Sequence, residues 1–448
     1  MTLSHASPDR SGPPFARRLA QLKSSDVRDL LSAGSGDDFI SLAGGLPAPD
    51  LCDVGGLWLA ARAAVEQGAA TVFQYGTTEG DPRLRELLWE REERTQGIAR
   101  DGRELVITSG SQQALDMIAR LLLDEGDTVL VQRPCYLAAL QTFTLCGAQC
   151  EDVEDDEHCP DMASVDAAWL RAGGPEGRVR LLYLVPTCAN PSGRTISVER
   201  RLELLRWAVR RRVFLLEDDA YGDLAFQSPS PPSMLALADR VDGAADWCGR
   251  CGSLSKTMAP GLRIGWLVLP QRMSTAVVRI KQATDLQSGT LAQALAVQYL
   301  ASGAAQARLP RLRAAYAERG EALARALRDE FGEAMAFDLP AGGFFIWARL
   351  QDGTPAREML ATALQCGVSF VPGDAFHATR PDRSTLRLSF SHGSPERLVE
   401  GARRLAMAWR TWRHESGLGL EQPQAGFFKV RSNSAIVMPQ ASDAALSS

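Results

Sequence analysis

Short apolar runs alternate with helical patterns along most of the chain. ELVIT (104–108), TVLV (128–131), RLLYLVP (180–186), VFLLE (213–217) and RIGWLVL (263–269) are four to seven residues long and rich in β-branched and aliphatic side chains. Such runs suit strands buried on both faces. Between them, GSQQALDMIARLLL places Leu115, Ile118, Leu121 and Leu122 on one helical face, and VERRLELLRWAV has the same spacing. Asp81 and Pro82, an N-cap and first-turn pair, open a further helix through LRELLWERE. This alternation predicts an α/β fold with a mostly parallel sheet between helices.

The rhythm changes twice. Beyond about Ala283 come longer helices, the strands FFIWARL (344–350) and TLRLSF (385–390), and the helix SPERLVEGARRLAMAW (394–409), a pattern expected of a smaller α+β domain. The ends lose periodicity. The expected division is therefore an N-terminal arm over 1–45 with one short helix around Ser25 to Leu31, a large domain over 46–283, a small domain over 284–415 and a flexible tail over 416–448.

Composition narrows the function. With 448 residues, 45% hydrophobic and 23% charged, the chain can bury a sizeable core. A net charge of -5 without a basic run argues against a nucleic-acid surface and for small-molecule partners. The first residues lack the apolar core of a secretory signal and no run reaches membrane-spanning length, so a cytoplasmic protein is expected, with neither membrane nor nucleic acid as partner. Nine cysteines, an odd number, fit a reducing compartment. Five scattered histidines lack ligand spacing, and no metal site is expected.

Only four of the 49 Lys and Arg residues are lysines, and one, Lys256, stands among small and apolar residues in GSLSKTMAPGLRIGW (252–266). Burial lowers an amine's pKa and makes it a nucleophile toward carbonyls. A lysine snorkelling from a strand end is the bland alternative. Ser253, Ser255 and Arg263 around it are suited to gripping a phosphate. Gly110-Ser111-Gln112, a glycine turn entering a helix, is a second anion site, although a plain Ser N-cap reads the same. LLEDDAYG (215–222) ends an apolar strand at Asp218, where a carboxylate can keep a pyridine nitrogen protonated.

Taken together, SLAGGLPAPD, QYGTTEG, TSGSQQALD, NPSG, EDDAYG and SLSKTMAPGLRIGW, with LRLSFS after them, resemble in order the fold-type I pyridoxal-phosphate (PLP) aminotransferases of class I/II, most closely the aminoadipate aminotransferase-like group. The resemblance spans roughly residues 20–410 and implies the PLP-dependent transferase fold and a class I/II aminotransferase exchanging an α-amino acid and a 2-oxo acid. It implies that Lys256 holds the cofactor as a Schiff base and shuttles the substrate proton, that Asp218 pairs with the ring nitrogen, that Tyr221 and Asn190 bind the phenolic oxygen and that Tyr136 stacks on the ring. Ser111, Gln112, Ser253, Ser255 and Arg263 would hold the phosphate, and Tyr75 would reach the phosphate of a neighbouring subunit in a homodimer with shared sites. Arg387 would grip the substrate α-carboxylate, with Gly45, Asn190 and Arg28 also on the substrate side.

The chain departs from the pattern at Cys188 and Ala189 before NPSG, which alters the expected pocket wall, and at QRPCY, which leaves Arg133 near the site. A lyase, replacement, cyclisation or C–C bond-forming PLP enzyme would keep nearly the same residues. A PLP-binding transcription regulator needs a DNA-binding domain, whereas about forty residues without a basic helix-turn-helix pattern precede SLAGG. WCGRC (247–251) looks like a redox Cys-x-x-Cys motif, but it stands where a strand should run, so Cys248 and Cys251 are read as incidental.

Overall fold

The computed structural model describes residues 38–226 and 230–417, together with Phe15, Ala16, Arg18, Leu19 and Leu22. Arg28, the short helix expected around it and residues 418–448 of the expected tail lie outside the described residues.

A two-residue strand, β1 (Ile40–Ser41), precedes the strands of the large sheet: β2 (Arg103–Thr108), β3 (Thr128–Gln132), β4 (Gln149–Val153), β5 (Val179–Leu184), β6 (Phe214–Asp219), β7 (Cys248–Ser253) and β8 (Gly265–Pro270). These seven lie in the order β2-β8-β7-β6-β5-β3-β4. Only β8 runs against its neighbours, so the sheet is mostly parallel, as the alternating pattern predicts. All five residues of β3 and all six of β6 are buried, which explains why these strands read as unbroken apolar runs. Period-two alternation sorts their side chains between two cores. Leu182, Leu184 and Leu215 pack on one face of the sheet, and Leu181, Tyr183 and Leu216 on the other.

The second sheet is antiparallel. It contains β9 (Met335–Phe337), β10 (Phe345–Leu350), β12 (Val371–Pro372) and β13 (Thr385–Ser389) in the order β12-β13-β10-β9. The helices Ala304–Phe331, Ala356–Gln365 and Pro395–Glu415 supply apolar faces to its core. Both boundaries differ from the change of pattern in the sequence. The helix Thr290–Ala301 buries Leu295, Ala296 and Tyr299 in the core of the large sheet, past the expected division at 283. Conversely, Ile40 and Leu42 pack into the core of the small sheet, and β1 pairs in parallel with β11 (Val368–Ser369). No helix among the described residues is long and apolar enough to cross a membrane.

The topology brings the loop-bearing ends together. Tyr136 follows β3, Asn190 follows β5, Asp218 lies near the end of β6 and Lys256 follows β7. Because β8 is antiparallel, its first residue, Gly265, faces Ser253 on one side and Thr108 on the other, so Arg263 and the Gly110 turn enter at that same edge. In open α/β sheets this edge forms the ligand crevice.

Candidate active site

A cavity of about 350 Å³ opens at this edge. Gly45, Ser111, Gln112, Tyr136, Asn190, Asp218, Tyr221, Ser253, Ser255, Lys256, Arg263 and Arg387 all line it, although they come from positions spread over some 340 residues. Tyr75 does not. It lies in a separate hollow beside Gly76 and Thr290 and is 78% exposed.

Lys256 donates from Nζ to the carbonyl of Gly45 at 3.0 Å, and its amine lies 5.7 Å from the centre of the Tyr221 ring. Burial, with Arg387 and Arg263 nearby, lowers its pKa to about 8. A substantial neutral fraction near neutral pH is what a nucleophilic amine needs.

Asp218 receives the Tyr183 hydroxyl on Oδ2 at 2.8 Å, while Oδ1 is buried without a partner. Burial raises its pKa to about 6. A buried carboxylate oxygen left open toward a cavity is set up to receive a charged donor such as a protonated ring nitrogen. Also on the cavity wall, Arg387 donates from Nη1 to Asn190 Oδ1 at 2.9 Å and from Nη2 to the carbonyl of Ala43 at 2.6 Å, leaving Nε without a partner. Its guanidinium lies over the rings of Phe345 and Phe376, at 4.2 and 5.0 Å from their centres. No carboxylate pairs with it among the described residues, and burial brings its pKa down to about 10. A buried guanidinium in this state matches an incoming carboxylate.

The anion cup is built from backbone as much as from side chains. Gly110 stands at φ 83°, with no side chain capping the helix Ser111–Leu122. Ser111 and Gln112, in that first turn, line the cavity with Ser253, Ser255 and Arg263, where helix N-terminal N–H groups favour an anion. Arg263 reaches Ser255 Oγ at 3.4 Å and the carbonyl of Ser109 at 3.3 Å. Gln112 donates to Thr142 Oγ1 at 2.6 Å, which fixes its amide at the cavity wall. A carboxylate acceptor, an anion cup and an amine within one cavity fit pyridoxal phosphate, whose ring nitrogen, phosphate and aldehyde need these three groups.

Two expectations about the surroundings change, and the reading of Cys248 and Cys251 as incidental strand residues does not. Arg133 pairs with Glu154 at 3.0 Å and does not line the cavity. Cys188 and Ala189 also lie outside the wall, packed into the two cores. Cys248 and Cys251 occur within β7, three residues apart, and so belong to opposite faces of the sheet, where both thiols are fully buried. Residues not anticipated from sequence include Tyr183, which partners Asp218, and Phe345, which underlies Arg387. Tyr183 left one signal: it is the lone hydroxyl in the aliphatic run RLLYLVP.

Comparison with known proteins places this site in a family. The model of aminotransferase class I and II matches residues 57–405. An aromatic-amino-acid aminotransferase of Thermococcus litoralis is 34% identical over 88% of this chain and 93% of its own length. The 2-aminoadipate transaminase of Thermus thermophilus is 35% identical over 88% of this chain and 96% of its own. Among solved structures, the kynurenine aminotransferase of Pyrococcus horikoshii, in complex with PMP, superimposes with a TM-score of 0.84 at 34% identity, covering 89% of this chain and 97% of that one. The chain belongs to the class I and II aminotransferases of PLP fold type I, and with pyridoxal phosphate as cofactor it moves an amino group between an α-amino acid and a 2-oxo acid.

Proposed function

We propose that Lys256 is the catalytic base of this transamination, that Asp218 and the Ser111–Arg263 cup hold the cofactor, and that Arg387 holds the substrate. The observation that carries the reading is a buried amine facing a cavity in which Asp218 Oδ1 and Arg387 Nε are both buried without partners. Bound pyridoxal phosphate supplies an aldehyde that takes up the amino group and a protonated ring that withdraws electrons from the substrate α-carbon. Asp218 keeps the proton on the ring nitrogen. Ser111, Gln112, Ser253, Ser255 and Arg263 bind the phosphate, while Tyr136, Asn190 and Tyr221 fix the ring. Arg387 orients the α-carboxylate, and Lys256 takes the proton from the substrate α-carbon.

The rest of the cavity wall includes Leu46, Leu137, Ala138, Val185 and Phe345, and among the described residues its guanidinium groups are Arg263 and Arg387. Such walls favour an amino acid with an apolar or aromatic side chain, in keeping with relatives named for aromatic amino acids and kynurenine. Arg28 would serve an acidic side chain such as that of 2-aminoadipate. The assembly is a cytoplasmic homodimer. Its support is the exposure of Trp58, Leu59, Phe73 and Tyr75, the last of which would reach a partner's phosphate, and nine unpaired cysteines.

Purified holoenzyme given single amino acids without a 2-oxo acid tests this. Its visible absorbance should bleach as a matching amount of 2-oxo acid appears, with phenylalanine ahead of 2-aminoadipate, and Lys256→Ala should slow the step by about 10²–10⁴-fold or more. Release of ammonia, with the original absorbance restored after each turnover, would instead mark a lyase.

A further inference from the structure

A guanidinium lies in the middle of the large sheet. Arg250 on β7 is 1% exposed, and its three nitrogens each donate to a different carboxylate: Nε to Glu92 at 2.9 Å, Nη1 to Glu217 at 2.8 Å and Nη2 to Asp219 at 2.8 Å. Glu217 and Asp219 are the immediate neighbours of Asp218. The pleat of β6 turns these two toward Arg250 and leaves Asp218 facing the cavity. Their remaining oxygens are also engaged. Glu217 Oε2 accepts from Ser233 Oγ at 2.6 Å, and Asp219 Oδ1 accepts from the N–H of Gly222 at 2.6 Å, closing the turn that carries Tyr221. Glu92, on the helix Pro82–Gln96, accepts in addition from Arg91, which also pairs with Asp223.

We propose that Arg250 is a positioning residue for the cofactor: by clamping Glu217 and Asp219 on either side of Asp218, it fixes the carboxylate that meets the ring nitrogen and the turn that presents Tyr221. The inference rests on the reading of Asp218 given above. Asp218 has a single protein partner, Tyr183, so its placement comes mostly from the rigidity of β6 at this point. A buried ion cluster is weak support for stability in general, because desolvation offsets most of the attraction. Its value here is geometric. Three directed bonds from one planar group fix two backbone positions, and a ring held by one carboxylate tolerates little displacement. The guanidinium also offsets two carboxylates that would otherwise disfavour the charged form of Asp218.

The test compares Arg250→Lys, Glu92→Gln and Asp218→Asn in the full-length protein, reading cofactor affinity of the apoprotein, the absorbance of the bound cofactor against pH, and thermal stability. A lysine cannot hold Glu217 and Asp219 together, so Arg250→Lys should weaken cofactor binding by about tenfold or more and shift the pH dependence of the absorbance. It should lower kcat with little change in KM, since Arg387 is untouched. Glu92→Gln breaks only the contact to the outer helix and should reduce stability while leaving affinity within about twofold of the parent. Arg250→Lys with parental affinity and absorbance, beside an impaired Asp218→Asn, would overturn the inference alone. Parental behaviour of Asp218→Asn would overturn the reading of Asp218 as well. Should Arg250→Lys not fold, Asp219→Asn carries the same readouts, and unchanged affinity in it counts against the clamp.

Discussion

Asp218 shows how a buried carboxylate can weaken the protein that holds it. An unfolded chain gives an aspartate its ordinary pKa of 3.8, whereas burial raises it to about 6 in the folded apoprotein. The folded state therefore binds the proton more tightly, and the stability this confers is complete below pH 3.8 and lost as pH rises through 6. At pH 7 the ionised, half-satisfied carboxylate costs on the order of 3 kcal/mol. Asp218→Asn keeps an acceptor for Tyr183 and removes the charge. It should stabilise the apoprotein at pH 7 by about 2–3 kcal/mol in urea unfolding, the gain shrinking toward pH 4, while weakening cofactor binding. Arg387 invites the same reasoning from the opposite charge, its Nε being buried and open.

Among elements, the turn into the helix Ser111–Leu122 has little freedom to vary. Gly110 adopts φ 83° and ψ 166°, a region essentially limited to glycine, and a Cβ there would lie 2.3 Å from Arg263 Nη2. Gly110→Ala should displace Arg263 from the phosphate cup. We expect a fall in melting temperature and a loss of cofactor affinity of about tenfold, read by titrating the apoprotein. The helix start was legible in the sequence, but GSQ alone did not distinguish an anion-binding turn from a plain Ser N-cap, and the structure puts Gly110 itself at the cap. The buried strands were legible because burial on both faces leaves no polar alternation to confuse with a loop. The direction of β8 left no mark in RIGWLVL, since parallel and antiparallel strands in the middle of a sheet need the same side chains. Nor did Arg250 stand out: within WCGRC the eye falls on the cysteines, while the arginine's partners lie 31, 33 and 158 residues away.

Across the whole molecule, twelve of the residues singled out from sequence line one cavity, most of them at or near the ends of strands of the large sheet. Tyr75 lies in a separate hollow, and Arg28 lies outside the described residues. The exposed Val54, Trp58 and Leu59 on the helix Val54–Val72, with Phe73 and Tyr75 just after it, form the apolar face expected to meet a second copy. Trp58→Glu should shift the protein toward monomer in sedimentation and lower the affinity for cofactor at dilute protein, since each site would then lack its neighbour's Tyr75.

The pairing of β1 with β11 has a consequence for how the protein is made. Ser369 Oγ bonds Ser41 Oγ across 328 residues, and the carbonyls of Ala43 and Gly45, just after β1, receive Arg387 and Lys256. On a ribosome adding about 5–20 residues per second, the segment around Ser41 waits on the order of tens of seconds for its partner strand to emerge. The large sheet can close during that interval, but the pocket is assembled only after the strand that carries Arg387 has emerged, so a chain released before that point would have a scaffold without its Arg387 wall.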